Sequence, residues 1–208
     1  MKPRMIDYSL MLVTDHCSDA DAFCAIVEQA LQAGVMVLQL REKTAAARDF
    51  YQLALRIKSI ARQYDVPLLI NDRLDIALAV DADGVHVGQE DLPVAVVRRL
   101  IGPDKILGAT AATVAQALRA EAEGADYIGS GAMFPTLTKP GKPVLPMSVL
   151  AQIKQAVKVP VVAIGGITAD NLLMLKNAGV DGVAVVSAIM DSAEPAAATQ
   201  EILSRWCK

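Results

Sequence analysis

Apolar positions along the chain fall into two alternating kinds of segment. Short β-branched runs such as VMVLQLREK (35–43), with five of its first six residues apolar, have the make-up of a strand buried on both faces. Between them lie longer stretches whose apolar residues recur at helical spacing: DAFCAIVEQALQ (21–32), ARDFYQLALRIKSIARQY (47–64), VAQALRAEAE (114–123), SVLAQIKQAV (148–157) and ADNLLMLKNA (169–178). One joint recurs. LQAGVMVLQL, AEGADYIGS and KNAGVDGVAVV each pass from a helical segment through Gly34, Gly124 or Gly179 into a strand, and VDADGVHVG is a looser copy. Glycine at that place ends a helix in the left-handed conformation without steric cost.

These signals predict strands near 8–14, 35–40, 67–71, 83–87, 105–109, 126–129, 160–164 and 182–186. Their starts recur every ~25 residues, about one strand–helix unit of the eightfold barrel. The expectation is a single α/β domain over residues 1–208, a (β/α)8 TIM barrel; a doubly wound sheet is the alternative, and eight similar units favour closure. Positions two apart on a strand share a side, so Val35, Val37, Gln39, Arg41 and Lys43 should all point one way.

Composition narrows the field. Hydrophobic residues are 53% of the chain and aromatics only 4%, which suits a parallel sheet better than a sandwich. A net charge of -3 without a basic block argues against nucleic acid. Three cysteines without CxxC or Cys/His spacing argue against a disulfide framework or structural zinc and fit a reducing compartment. The N-terminal run lacks a signal-peptide core, and no stretch reaches the ~18 apolar residues of a membrane helix. A cytoplasmic protein without membrane or nucleic-acid partners is expected; the sequence is compatible with a homo-oligomer and does not fix its size.

In such a barrel the chemistry sits in loops that follow the strands. Those loops hold Asp15; Arg41, Glu42 and Lys43; Asn71 and Asp72; Gln89, Glu90 and Asp91; Thr110; FPTLTKPG with Thr136, Thr138 and Lys139; GGIT; and Ser187. Arg41, Lys43 and Lys139 with hydroxyls at Thr110, Thr136 and Thr138 suit a polyanion. The bland alternative is that Arg41 and Lys43 are solvated charges paired with Glu42. Asp72 and Asp91 suit a hard cation that also binds phosphate, or else they cap the helices that follow. Gly165, Gly166 and Ser187 occupy the usual phosphate site of the fold, after strands seven and eight. His86, in GVHVG, is either a general base or a hydrogen-bonded filler of the barrel's top layer, and the filler reading is favoured. No nucleophilic triad is evident. Two anion sites imply two phosphorylated substrates, or one phosphorylated at both ends.

The motifs LVTD, QLREK, INDRLDIALAVDADGVHVGQEDLP, GADYIGSGAMFPTLTK, VPVVAIGGIT and GVAVVSAI, in this order from near residue 11 to near residue 189, resemble the thiamine phosphate synthase family. The resemblance implies a barrel that joins an aminopyrimidine methyl diphosphate to a thiazole phosphate and releases pyrophosphate. It also implies a site. The pyrimidine diphosphate would meet Gln39, Leu40, Arg41, Glu42, Lys43, Asn71, Thr110 and Lys139. Asp72 and Asp91 would hold Mg2+. The thiazole phosphate would meet Thr136, Leu137, Thr138, Gly166, Val186 and Ser187. Arg41, Lys43, Lys139 and Thr110 would carry the catalysis. The chain departs from the family's usual pattern at Thr110, where Ser is common, and at Ala132, where Pro is common.

Rival readings are a thiazole tautomerase, a catalytically dead regulatory barrel and a phosphosugar isomerase. The tautomerase relatives use a histidine at the position of Ala112; the dead barrel should have lost the charged rim; the isomerase would leave the carboxylates and extra cations without a task.

Overall fold

The eight expected strands form within one or two residues of their predicted bounds: β1 (Leu10–Val13), β2 (Val37–Leu40), β3 (Leu68–Asn71), β4 (Gly84–Val87), β5 (Ile106–Thr110), β6 (Tyr127–Ser130), β7 (Val161–Ile164) and β8 (Gly182–Val185). This is a computed structural model, and it describes residues 6–136, 138, 141 and 143–207. All strands run parallel in chain order and close into a barrel, with β1 hydrogen-bonded to both β2 and β8. The connecting helices are α1 (Ala20–Gln32), α2 (Ala47–Gln63), α3 (Leu74–Ala79), α4 (Val94–Ile101), α5 (Val114–Ala122), α6 (Met147–Ala156) and α7 (Leu173–Lys176), followed by α8 (Ser187–Met190) and α9 (Pro195–Trp206). The last amphipathic stretch, 169–178, is helical over only four residues, and the remainder is turn.

Alternate residues of each strand feed two separate apolar clusters. Leu10, Leu12, Leu38, Leu40, Leu68 and Ile70 pack outward against the helices. Met11, Val13, Val37, Leu69, Tyr127, Val162 and Ala184 fill the barrel. This is the period-2 alternation of a strand buried on both faces, and it corrects two expectations. Val35 lies before β2 in the outer cluster, because the chain turns at Gly34 (φ 115), so the shared side starts at Val37. Leu40 also lies in the outer cluster, fully buried, so its side chain cannot meet a ligand in the barrel mouth.

The lower rim carries stability rather than chemistry. Asp83, Asp126 and Asp181 directly precede β4, β6 and β8. Each accepts a hydrogen bond from the first backbone N–H of the neighbouring odd strand or the residue beside its start: Leu68 at 2.9 Å, Leu107 at 2.7 Å and Val161 at 2.7 Å. Arg98 and Lys154 pair with Asp126 and Asp181, at 2.5 and 2.6 Å. A strand-end donor that lacks a ladder partner is thereby satisfied, and the recurring Asp–strand joints of the sequence acquire a structural reason.

Candidate active site

The upper rim is assembled from the tops of β1 to β5. Arg41 follows β2 directly, and its backbone is clamped by the buried hydroxyl of Thr14: the Arg41 N–H donates to Thr14 Oγ1 at 2.9 Å, and Thr14 Oγ1 donates to the Arg41 carbonyl at 3.1 Å. The guanidinium is nearly buried and donates through Nη1 to Asp15 Oδ1 at 2.6 Å. Its Nε is buried with no hydrogen-bond partner among the described residues. Lys43, half-exposed, forms an ion pair with Asp72 at the end of β3. The two cations therefore pair with Asp15 and Asp72, and neither pairs with Glu42.

Glu42 is turned the other way. Its carboxylate is almost fully buried and accepts backbone N–H bonds from Cys17 at 3.1 Å, Thr44 at 2.7 Å and Ala45 at 3.1 Å, beside the Thr44 hydroxyl and His16 Nδ1. Burial alone would push this carboxyl up; the donors outweigh it and bring it down to about 2. Glu42 was expected among the residues that meet the pyrimidine diphosphate; its carboxylate oxygens are already engaged by the loops after β1 and β2.

Asn71 and Asp72 end β3. Asn71 is buried, donates through Nδ2 to Asp72 Oδ1, and leaves Oδ1 buried without a partner among the described residues. Asp72 adopts a left-handed backbone (φ 61), a conformation in which Asp is enriched. Asp91, after β4, accepts from the Gly88 N–H at 2.7 Å and lies within hydrogen-bonding reach of Asp72. Burial pushes the Asp91 carboxyl up; the Gly88 N–H works against this, and the Asp72 carboxylate adds to the rise. Neither acid caps the next helix: the N-cap positions of α3 and α4 are Arg73 and Pro93, and neither helix has a side-chain cap. Two crowded carboxylates beside an orphaned amide oxygen are a hard-oxygen donor set, and the residues present fit a divalent cation that takes one or two carboxylates and completes its shell from phosphate.

Inside the mouth, Gln39 lies on the inner face of β2, with Nε2 3.5 Å from Met11 Sδ and 3.3 Å from the Tyr127 hydroxyl. His86 is buried, its Nδ1 2.8 Å from Tyr127 Oη and its Nε2 2.9 Å from Thr110 Oγ1. That matches the hydrogen-bonded filler reading, because both ring nitrogens are engaged. Thr110 ends β5, half-buried.

The residues expected to meet the second phosphate lie in the loops after β6, β7 and β8. Thr136 accepts from the Thr138 N–H at 3.2 Å, both half-buried. Leu137 and Lys139 lie outside the described residues. Gly165 and Gly166, after β7, have φ of 101 and 65, and a Cβ at Gly166 would stand 2.5 Å from the Pro135 carbonyl, so the loops after β6 and β7 touch where only glycine fits. Ser187, exposed, opens α8 behind the half-buried Val186 at the top of β8.

Sequence reasoning missed Thr14 and Tyr127. Thr14 stood inside LVTD without an assigned task. Tyr127 was signalled by being a large aromatic two residues before Gly129 on the inward parity of a small-residue strand.

The model of a family described as thiamine monophosphate synthase matches residues 10–189. A thiamine-phosphate synthase of Methanobrevibacter smithii is 51% identical over 97% of this chain and 96% of its own length, and one of Ruminiclostridium cellulolyticum is 53% identical over 95% of each. Among solved structures, thiamine phosphate pyrophosphorylase from Pyrococcus furiosus superposes with a TM-score of 0.85 at 38% identity, covering 96% of both chains. A 3-hexulose-6-phosphate synthase, at 17% identity and a TM-score of 0.70, shares the fold alone. The chain belongs to the thiamine monophosphate synthase family.

Proposed function

We propose that this barrel joins 4-amino-2-methyl-5-(diphosphooxymethyl)pyrimidine to thiazole phosphate, giving thiamine phosphate and pyrophosphate. The observation that carries the site assignment is the convergence of Arg41, Lys43, Asn71, Asp72 and Asp91 over the tops of β2 to β4, with Arg41 Nε and Asn71 Oδ1 buried and awaiting partners among the described residues. A diphosphate would supply an acceptor for the first, and a cation accompanying it, or that cation's water, would satisfy the second. The two substrates are small phosphorylated molecules. No helix among the described residues is long and apolar enough to cross a membrane, and the free Cys17, Cys24 and Cys207 agree with the reducing cytoplasm.

The reaction we infer is dissociative. The bond between the pyrimidine methylene carbon and the diphosphate oxygen breaks, and its electron pair leaves with pyrophosphate. Arg41, Lys43 and Lys139 stabilise the charge that gathers there. Asp72 and Asp91 would hold a magnesium ion, which would supply further neutralisation of the leaving group's charge. The electron-rich aminopyrimidine carries the cation, and the thiazole nitrogen donates its lone pair to the methylene to form the new C–N bond. Thr136, Thr138, Gly166 and Ser187 hold the thiazole phosphate so that this nitrogen is in register, which is itself a large part of the rate. No protein nucleophile is required.

The test mixes purified protein with both substrates and magnesium, follows pyrophosphate release, and omits each component in turn. Release that needs all three, with thiamine phosphate formed, supports the reading. Absence of release from a folded protein that still binds both substrates would point to the regulatory barrel instead.

A further inference from the structure

The barrel interior gives up two side chains to seat one imidazole. A Cβ at Gly108 would lie 2.3 Å from Tyr127 Cζ and 2.4 Å from His86 Nδ1, and one at Gly129 would lie 3.0 Å from His86 Cε1. Glycines on β5 and β6 thus leave space that His86, from β4, and Tyr127, from β6, fill, with ring centroids 5.4 Å apart. The result is a continuous file of hydrogen bonds from β2 to β5: Gln39, Tyr127, His86, Thr110.

The direction of that file follows from its first member. A thioether sulfur only accepts, so the Gln39 group facing Met11 Sδ at 3.5 Å is the amide NH2. Its second hydrogen goes to the Tyr127 oxygen at 3.3 Å. Burial holds the Tyr127 phenol protonated, raised well above its ordinary range, so Tyr127 has one proton to give. His86 Nδ1 at 2.8 Å is a far better acceptor than Met11 Sδ at 4.0 Å. A neutral imidazole that accepts at Nδ1 carries its proton at Nε2, and Nε2–H then donates to Thr110 Oγ1 at 2.9 Å.

We infer that His86 is a positioning residue: the Tyr127–His86 bond fixes the Nε2–H tautomer, which occupies an acceptor site on Thr110 and turns the Thr110 hydroxyl proton into a donor aimed at the barrel mouth. Under the synthase reading, on which this substrate assignment rests, the acceptor is the pyrimidine diphosphate. The device asks of residue 110 only a hydroxyl, so threonine serves where serine is usual, with its methyl as a passenger.

The experiment is a long-range 1H–15N correlation on protein labelled with [15N]histidine. The chain has two histidines, and His16→Gln assigns the spectrum. The expected result at neutral pH is a protonated Nε2 and a bare Nδ1 for His86, with the two tautomers mixed in Tyr127→Phe. An Nδ1–H tautomer in the parent protein overturns the inference, as does a Tyr127→Phe spectrum identical to the parent. The spectrum is read on resting protein, so its outcome is distinct from that of the pyrophosphate assay. In that assay His86→Leu should lower kcat about tenfold, the worth of one hydrogen bond to a charged group, and His86→Gln, which keeps an N–H donor, should restore most of it. In the Thr110→Val background His86→Leu should cost nothing further; a full additional tenfold loss there would also overturn the inference.

Discussion

Glu42 Oε2 accepts a hydrogen bond from the backbone N–H of Cys17 at 3.1 Å, and this bond ties the loop leaving β2 to the loop leaving β1. The carboxylate between two cations is therefore a staple. It fixes the backbone from which Arg41 and Lys43 reach the mouth, while its own charge is spent on buried donors.

Glu42→Gln should accordingly lower both stability and kcat, with a stability cost of about 1–3 kcal/mol for a buried donor left poorly satisfied. The pH dependence has a definite sign. The folded carboxyl lies at about 2 against an ordinary 4.5, so the folded state binds fewer protons than the unfolded one between those values. The stabilisation is complete above pH 4.5 and is lost as pH falls towards 2. Urea midpoints of parent and variant should converge over that window, and a constant gap would contradict the assignment.

Leu40→Ala separates the outer face of β2 from the inner. Leu40 is fully buried against the helices, so truncation should cost about 2–5 kcal/mol in denaturant unfolding. KM for either substrate should stay unchanged at a temperature where the variant is folded. A selective rise in KM for the pyrimidine diphosphate would return Leu40 to the site.

Asp91→Asn removes one of two crowded carboxylates. Without metal the variant should be at least as stable as the parent, because the repulsion from Asp72 is relieved. With magnesium and pyrophosphate at about 100 times Kd, the parent should gain ~2.7 kcal/mol and the variant much less. Differential scanning calorimetry reads both. Chelation of magnesium should abolish turnover by the parent.

Lys139→Ala should lower kcat by ~10²–10³, the range for loss of a group that stabilises developing charge, with little change in Tm. A kcat within a few-fold of the parent would remove Lys139 from the mechanism.

Gly108→Ala tests the space made for His86. The added methyl meets the Tyr127 ring at 2.3 Å, and the ring, enclosed in the barrel, has little freedom to retreat. Overpacking should cost about 1–3 kcal/mol, and activity should fall with the displacement of His86.

The strands were legible because a parallel sheet buried on both faces leaves runs of Val, Ile and Leu bounded by glycine, and the structure moves each boundary by no more than a residue or two. The rim was legible in kind. Arg41, Lys43, Asn71, Asp72 and Asp91 follow strands whose order in the barrel equals their order in the chain, so counting strands placed them together. Their pairings were not legible. Arg41 with Asp15 and Lys43 with Asp72 span 26 and 29 residues, and only the lateral register of β1, β2 and β3 selects those partners over the adjacent Glu42.

The sequence alone determined the barrel, its period and the end that bears chemistry, because these depend on local propensity and on the alternation of apolar residues. Tertiary structure alone decided which way each rim side chain turns. Glu42 is drawn down by three backbone donors, Leu40 is turned outward by strand parity, and His86 is threaded between Tyr127 and Thr110 where two glycines leave room. Such orientations depend on hydrogen-bond partners and free volume contributed by distant strands, which exist only once the barrel has closed.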